Sequence, residues 1–474
     1  MKCLLAVLFA LLMAGTCFAA ASATRVYEVQ PTTGSNLNGG CYDSAFTGVG
    51  GSIDYTYITP TVFSFTDLTA VASTTVTSAS NPFTAAMVGN CIHLESAAVG
   101  TPGFFVITAF TSAGQVTIDT SVTWTTGIGK LGGATASYNG QTTTTLAVSL
   151  VPGNIVYHKG SGQTWNEAVV LTVSGSTAVG PITLTGYNAT RTDNPTGTAR
   201  PTNAVASTKV PFTISGSHYI VRHLVASGSS GFGFTSTGSN HLFWNVRATG
   251  SASSGLNAGG SYITYWQCES DLNAVSGIAN NQVGLMVVGC YSHHNTVSGI
   301  RVNTSQTVTI LHSIIARNSG NGILFAGGPP VAVLIGNTID CNGSAANCAS
   351  AAFDGINLVT GFDFSAGSLI VNNIFSNNER DGVRKTDSLG NNASVIADFN
   401  NYFGNVGAAR TNFPIGPSDQ TLNPTYAAAA SGNYAIGTNL QAMGYPGLFP
   451  AGTTTGYRDI GAVQHRETFF HVFP

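Results

Sequence analysis

The sequence predicts an all-β chain: a right-handed parallel β-helix solenoid, with a small β domain or cap before it and a capping region after it. Two independent marks at one period predict this. From residue 231 a Gly followed by an apolar residue recurs at Gly231-Phe232, Gly255-Leu256, Gly277-Ile278, Gly299-Ile300, Gly322-Ile323, Gly355-Ile356 and Gly382-Val383, in steps of 24, 22, 22, 23, 33 and 27 residues. Asn273, Asn295, Asn318 and Asn378 each stand four residues before the next marked Gly; Asn342 precedes its Gly by thirteen, so nine residues are inserted there. Asn405 continues the series. A third observation is the character of the intervening runs. Val308-Thr309-Ile310 and Leu369-Ile370-Val371 are short and β-like, without a helical period. Self-similarity at a fixed period marks a solenoid, and the Leu-x-x-Leu-x-Leu frame of leucine-rich repeats is missing.

Each coil is then about three short strands, every strand pairing with its counterpart one turn away, roughly 4.8 Å off. Stacking converts the Asn residues into a ladder at a tight bend, where Asn tolerates left-handed backbone. The Gly four residues on is read as the residue that permits the next bend.

The elements follow in chain order. Residues 1–23 read as a secretory signal: Lys2, an apolar stretch from Leu4 to Phe18, then small residues at Ala19 to Ala23, with cleavage after Ala19 or Ala23. Thr16 fits poorly before a lipid-bearing Cys17. Residues 24–137 carry longer alternating segments, such as Phe104 to Phe110, and form the N-terminal β-rich domain. The β-helix occupies 138–405, opening on runs such as Val156-Tyr157-His158-Lys159-Gly160, and 406–474 is a C-terminal cap. The chain is therefore expected in a secreted, periplasmic or cell-surface location.

Composition narrows the function. Only 8% of residues are charged, against roughly 25% in ordinary domains. A formal charge of −3 without a Lys/Arg run excludes the footprint of a nucleic-acid binder. After the leader no run of 18 apolar residues occurs, so no transmembrane span is expected. Polarity comes from Thr, Ser, Asn and Gly, whose hydroxyls and amides suit hydrogen bonding to sugars. Six cysteines follow the leader, and their spacing pairs Cys41 with Cys91 and Cys341 with Cys348. Cys268, Cys290 and His312 recur at 22-residue steps, so the Gly frame stacks them, whereas the Asn frame puts Ser313 in place of His312. The two cysteines read as stacked thiols or a bridge, since a vertical file does not suit tetrahedral zinc.

Counting back from the ladder Asn assigns the faces of one strand. Positions five and three residues before it point inward; positions four and two before it point outward, giving Glu269/Asp271, Tyr291/His293, Ile314/Ala316, Thr338/Asp340 and Ile374/Ser376. Across neighbouring coils this assembles Glu269, Asp271, Tyr291 and His293. His294 and Arg317 lie beside the bend, and Arg301, just past Gly299-Ile300, also faces out. The readings are an ordinary solvated face, a glycan-binding wall in which His294, Arg317 and Asp340 contact the sugar, or a catalytic site. In a lyase, Tyr291 or His293 removes a proton and Arg301 neutralises a uronate. In a hydrolase, Glu269 and Asp271 are the carboxylate pair, an awkward geometry at i and i+2. The stretch Glu379 to Asp387 reads as a solvated bend, Trp244 and Trp266 as interior aromatics or sugar-stacking platforms, and no Gly-x-Ser-x-Gly elbow occurs.

The Gly/Asn-marked coils, with phrases such as Asn372-Asn373-Ile374-Phe375-Ser376-Asn377-Asn378, resemble the right-handed parallel β-helix proteins of the pectate-lyase-like superfamily. The tail Asn423-Pro424-Thr425-Tyr426, Gly432-Asn433-Tyr434 and Asp459-Ile460-Gly461-Ala462 is similar to the end of many exported bacterial β-helix proteins. Residues 81–134 resemble a segment found ahead of such helices in phage-like and environmental sequences. The resemblance implies an exported protein that binds polysaccharide or a cell-surface glycan, with lyase or hydrolase activity. Its rival is a non-enzymatic adhesin or a tailspike-like structural protein, for which a homotrimer is expected; a mere stalk is a third class. No cofactor is expected, calcium entering only by analogy with the superfamily. The Asp-Asp, Gly-His-Gly and spaced Arg-x-Lys of polygalacturonase-like helices are missing, so no catalytic residue carries over.

Overall fold

The structure, a computed structural model, describes residues 26–29, 63–88, 91–100, 103–132, 150, 152–160 and 164–464, the last outside 167, 189–192, 206–207, 304–306, 328–330, 344–347, 349–351, 360–366, 387–394 and 445–458. The leader reading and the Cys41–Cys91 pairing lie outside the described residues. The chain divides into two compact units, Met1–Asn203 with Ile214–Leu224, and Ala204–Thr213 with Val225–Pro474.

The first unit holds an antiparallel sheet of Phe63–Thr77, Cys91–Ser96, Gly103–Ser112 and Gln115–Gly132. Its alternation buries Phe65, Leu68, Val76, Ile92, Ile107 and Trp124 on one face. The same unit contains parallel strands: Val26–Val29 pairs with Ile155–Lys159, which pairs with Ile182–Tyr187, which pairs with Tyr219–Arg222. Val26–Val29, inside the segment read as an N-terminal β-rich domain, is thus a strand of a parallel sheet.

In the second unit the chain winds as the right-handed parallel β-helix that the period predicts, with three walls. The Asn wall comprises Val225–Ser227, Arg247–Thr249, Glu269–Asp271, Tyr291–His293, Ile314–Ala316, Thr338–Asp340, Ile374–Ser376 and Asn401–Phe403. The Gly wall runs from Phe234–Ser236 through Ser298–Val302 to Arg410–Thr411, and the third wall from His241–Trp244 through Leu285–Val288 to Ile396–Asp398. Leu256, Ile278, Ile300, Ile323, Ile356 and Val383, the apolar halves of the Gly mark, lie in one register file. All six are buried, so there the mark is the core itself. The first mark, Gly231-Phe232, is out of phase, because Phe234 and not Phe232 pairs with Leu256 and is buried. Aromatics stack on the same principle, with Phe212 and Phe234 rings 4.6 Å apart and nearly parallel.

The Asn ladder is continuous. Asn273 donates its side-chain amide to Asn295 Oδ1 at 2.9 Å, Asn295 to Asn318 at 2.9 Å, Asn318 to Asn342 at 2.9 Å, Asn342 to Asn378 at 3.0 Å and Asn378 to Asn405 at 2.9 Å. The left-handed residue at the bend is the one before each ladder Asn: Leu272, His294, Arg317, Cys341 and Asn377 all have φ between 52° and 57°. The ladder Asn therefore points inward to satisfy backbone and neighbour, instead of making the turn. The marked Gly has a different reason too. A Cβ on Gly299 would meet Asn318 Nδ2 at 2.8 Å and the Gly322 carbonyl at 2.8 Å; a Cβ on Gly277 would meet Asn295 Nδ2 at 2.7 Å. The nearest obstacles are Ile315 Cγ2 for Gly299 and Ser292 Oγ for Gly277, so glycine is required by close packing against the inward file and the ladder, not by a positive φ.

A second file lines the other bend. Cys268, Cys290, Ser313, Asn337, Asn373 and Asn400 stack there, each backbone N–H donating to the next side chain: Cys268 to Cys290 Sγ at 3.3 Å, Cys290 to Ser313 Oγ at 3.1 Å, Ser313 to Asn337 Oδ1 at 3.0 Å. Cys268 and Cys290 are buried free thiols, and Cys341 is bridged to Cys348.

Two expectations fail in physical detail. Glu379, Asp381 and Lys385 are buried, while Arg380 and Arg384, 28% and 29% exposed, pair with buried Asp354 and Asp381. The stretch is therefore a part-buried ion-pair network and not a fully solvated bend; Asp387 lies outside the described residues. Trp244 and Trp266 are half-buried and point outward, because the strand alternation gives the interior to Phe243 and Tyr265.

The tail both caps and flanks. Asp419 accepts the Asn400 backbone N–H at 2.9 Å and Tyr402 donates to the Gln420 carbonyl at 2.9 Å, closing the last coil. Leu440 and Ile460 then pack on Ile374, Gly461 donates its N–H to the Asn372 carbonyl at 2.7 Å, and Ala462 to Thr338 Oγ1 at 3.0 Å. The described tail residues Tyr426, Leu440, Ile460, Gly461 and Ala462 thus lie along the Asn wall.

Candidate functional site

On the Asn wall, parallel register sets two outward files. Arg247, Glu269, Tyr291, Ile314 and Thr338 form one; Thr249, Asp271, His293, Ala316, Asp340 and Ser376 form the other. The charged end is tightly knit. Arg247 donates from Nε and Nη2 to the two Asp271 oxygens at 2.9 and 2.8 Å, and Thr249 Oγ1 donates to Asp271 at 3.1 Å. Glu269 Oε1 lies 3.5 Å from Arg247 Nε and 3.5 Å from His293 Nε2. The Tyr291 and His293 rings stack at 3.8 Å, and His293 Nδ1 is 2.8 Å from His294 Nδ1, one donating and the other accepting. Two adjacent strands of the wall therefore carry the expected quartet of Glu269, Asp271, Tyr291 and His293 as one contiguous group.

Burial and neighbours set its chemistry. The Asp271 hydrogen bonds hold Arg247 above its ordinary pKa. Burial pushes the Tyr291 phenol up to about 12; Arg317 opposes this, and Glu269, Asp271 and Asp340 add to it. A phenol held protonated is a donor, not a base. Burial also lowers the pKa of His294, reinforced by His293 and Arg317. Asp340 is raised by burial, against hydrogen bonds donated by Ser376 Oγ at 2.6 Å and Asn377 Nδ2 at 2.8 Å.

Asp340 is not open to solvent. Its roof is the returning tail: Tyr426 Oη is 2.8 Å from Ser376 Oγ, the Tyr434 ring stands edge-on to Tyr291 at 6.4 Å and to Tyr426 at 5.0 Å, and Gly432 passes close over the Tyr291 hydroxyl. Asp340 faces Arg317 and Tyr434 beneath that roof. His294 and Arg317 occupy the left-handed bend position itself, next to the outward file. Arg301 belongs to the Gly wall, where its Nε donates to Asn303 Oδ1 at 2.7 Å, in a file with Ala279 and Leu324. The register does not bring Arg301 to the quartet.

Sequence reading missed Arg247, because Ser251 stands where its coil would carry the ladder Asn; counting 22 residues back from Glu269 finds it. Tyr426 and Tyr434 lie outside the repeat, and only their tail motif marks them.

Glu269, Asp271 and His293 place donor atoms within 4.8 Å of one another, a spacing that metal ligands can share. Both Asp271 oxygens already accept from Arg247 and one also from Thr249, so a guanidinium fills the place a divalent cation would take. The donor set does not fit a resident calcium ion.

Residues 212–361 match the family described as "Right handed beta helix region". Among solved structures the chain is similar to the pectate lyase Pel9A, at 14% identity over 68% of this chain and 90% of that one, with a TM-score of 0.45. It is similar to the A-module of the Azotobacter vinelandii mannuronan C-5 epimerase AlgE6, at 16% identity over 57% and 76% of the two chains, with a TM-score of 0.31. It is also similar to the Dettilon tailspike protein, at 11% identity over 56% and 60%, with a TM-score of 0.32. At such identities the likeness lies in the winding of the coils and gives no residue a role. No curated protein matches the sequence.

Proposed function

We propose that this chain is an exported protein that binds a neutral polysaccharide on the Asn wall, at Arg247, Glu269, Tyr291 and His293. The observation that carries the reading is the half-exposed rim of that quartet: Arg247 and Glu269 side chains are each 29% exposed, in a surface otherwise poor in charge. Carboxylate, imidazole, phenol and guanidinium on one rim offer both acceptors and donors to sugar hydroxyls. The local balance favours a neutral sugar over a uronate, because Arg247 is already neutralised by Asp271 and Glu269.

The same geometry weighs against the two catalytic schemes. A lyase would need a free cation beside the base, and Arg301 stands on another wall. A retaining hydrolase wants its carboxyl groups roughly 5–5.5 Å apart with substrate between them. Asp271 is only 1% exposed and clasped by Arg247, so it does not reach a substrate. His294 and Arg317 contribute at the bend, and Asp340 supports the wall from beneath the tail.

Affinity electrophoresis of the purified chain through neutral and uronate polysaccharides tests this, with reducing ends and unsaturated-product absorbance followed in parallel. Retardation by a neutral glycan, lost in Tyr291→Ala and Glu269→Gln, is expected. Retention that survives both substitutions would refute the site.

A second reading, a structural protein whose copies pack side by side, is favoured by the third wall. One outward file is Trp266, Val288, Leu311 and Ile335, half-buried and uncharged; the other alternates Thr264, Met286, Thr309 and Val333. Sedimentation equilibrium decides it: a trimer that Leu311→Glu dissociates supports association, a monomer removes it.

A further inference from the structure

The outward files of the Asn wall are open at one end and covered at the other. Arg247 and Glu269 are each 29% exposed and His293 14%. Ile314, which follows Tyr291 in its file, is still part-exposed, and beyond it the wall is shut: Ala316 0%, Thr338 0%, Asp340 2%, Ile374 0% and Ser376 0% exposed. At the open end only Asp271, clasped by Arg247, is buried. The change falls within two steps of about 4.8 Å each, where the tail meets the wall at Tyr291, Thr338, Ile374 and Ser376. A Cβ on Gly432 would lie 3.2 Å from Tyr291 Oη, so the tail backbone passes directly against the Tyr291 hydroxyl. Tyr434 closes the same edge with its ring, and Tyr426, Leu440 and Ile460 continue the cover over Ser376 and Ile374.

We infer that the site takes the end of a glycan chain and not its interior, Gly432 and Tyr434 forming the stop. This rests on the binding function proposed above and specifies its substrate. A polymer laid along the files meets neighbouring coils at a spacing close to one sugar unit, from Arg247 past Glu269 to Tyr291, and can go no further. Its last sugar sits against the Tyr291 hydroxyl and the Tyr434 edge. The stop is firm: Tyr434 is 1% exposed, Ser376 hydrogen-bonds both Tyr426 and Asp340, and Gly432 holds a left-handed φ of 82° that favours glycine. The stop at the tail makes Tyr434 a specificity-determining residue.

The test uses the neutral polysaccharide retained in the electrophoretic screen, cut to a length ladder from hexasaccharide to full polymer, with protein bound per glycan chain read by titration calorimetry. One protein per chain at every length is expected, with affinity per chain unchanged. Borohydride reduction of the hexasaccharide then reports which end is held: lost binding assigns the reducing end, retained binding the other. Stoichiometry that grows in proportion to length overturns the inference and leaves the binding site standing. Failure of every glycan to bind overturns the function itself. Tyr434→Ala, checked for an unchanged far-ultraviolet spectrum, should raise the protein bound per full polymer several-fold by opening the stop; should that variant unfold, the length ladder on the intact chain still decides.

Discussion

Arg247 holds Asp271 in a two-pronged clasp, Nε and Nη2 each meeting one carboxylate oxygen at 2.9 and 2.8 Å across adjacent coils. Asp271 is 1% exposed, so this guanidinium and Thr249 are what make its charge tolerable. Arg247→Ala strands a buried carboxylate, and a loss of roughly 2–3 kcal/mol in urea unfolding is expected. Asp271→Asn with Arg247→Ala should recover part of that loss, because the stranded charge is then gone. A double variant no more stable than Arg247→Ala would show that the clasp is not the reason.

Asn295 is a rung with bonds on both sides. It accepts the Asn273 backbone N–H at 3.2 Å and side-chain amide at 2.9 Å, and donates to Asn318 at 2.9 Å. Asn295→Ala leaves buried donors without partners, and a cost of about 3 kcal/mol is expected. Hydrogen exchange at the Asn273 amide, read by mass spectrometry, should accelerate with it.

Gly299→Ala separates steric need from backbone freedom. Its φ is not in the left-handed region, yet an added methyl meets Asn318 Nδ2 and the Gly322 carbonyl. A loss of about 2 kcal/mol is expected, of the size overpacking produces. A melting temperature equal to that of the parent would restore the bend-forming role read from the sequence.

Asp340 gives a pH signature. Burial raises its native pKa above the ordinary 3.8, so the folded state holds the proton more tightly than the unfolded chain. Its contribution to stability is complete below pH 3.8 and is lost as pH rises through the raised native value. Asp340→Asn removes that loss, and the amide oxygen still accepts from Ser376 and Asn377. The variant should therefore gain on the parent between acid and neutral pH in chemical unfolding; a constant difference at all pH values would contradict it.

Cys268 and Cys290 are buried thiols, and burial pushes Cys290 far above the usual thiol range. Iodoacetamide should leave both unmodified in the native protein and label both after unfolding without reductant, as peptide mass mapping would show. Cys341 and Cys348 should label only after reduction.

The periodic part of the molecule was legible because it is set by local repetition. Two marks in phase fixed which residues stack, so the inward file through Ser270 and Ser292 and the outward Glu269–Tyr291 file both follow from counting. Arg247 escaped because Ser251 stands in its ladder position, donating its backbone N–H to Asn273 Oδ1 at 3.0 Å without announcing the repeat. The burial of Asp340 and Ser376 could not be counted at all. It depends on Tyr426 and Leu440, which arrive from a segment without periodicity. Charge-rich sequence misled at Glu379 and Asp381 for a related reason: partners such as Asp354 with Arg380, and Ala408 with Asp381, are contributed by neighbouring coils and not by the bend.

The ladder rungs join counterparts separated by 22, 23, 24, 36 and 27 residues in turn, with bond lengths of 2.9 to 3.0 Å throughout. Extra residues are therefore harmless when they bulge from a bend and ruinous when they fall within a rung. A gene encoding such a chain can lengthen it in only two ways: by swelling a loop, or by copying one complete turn. Descendants should differ in the number of whole turns, with fractional ones selected against.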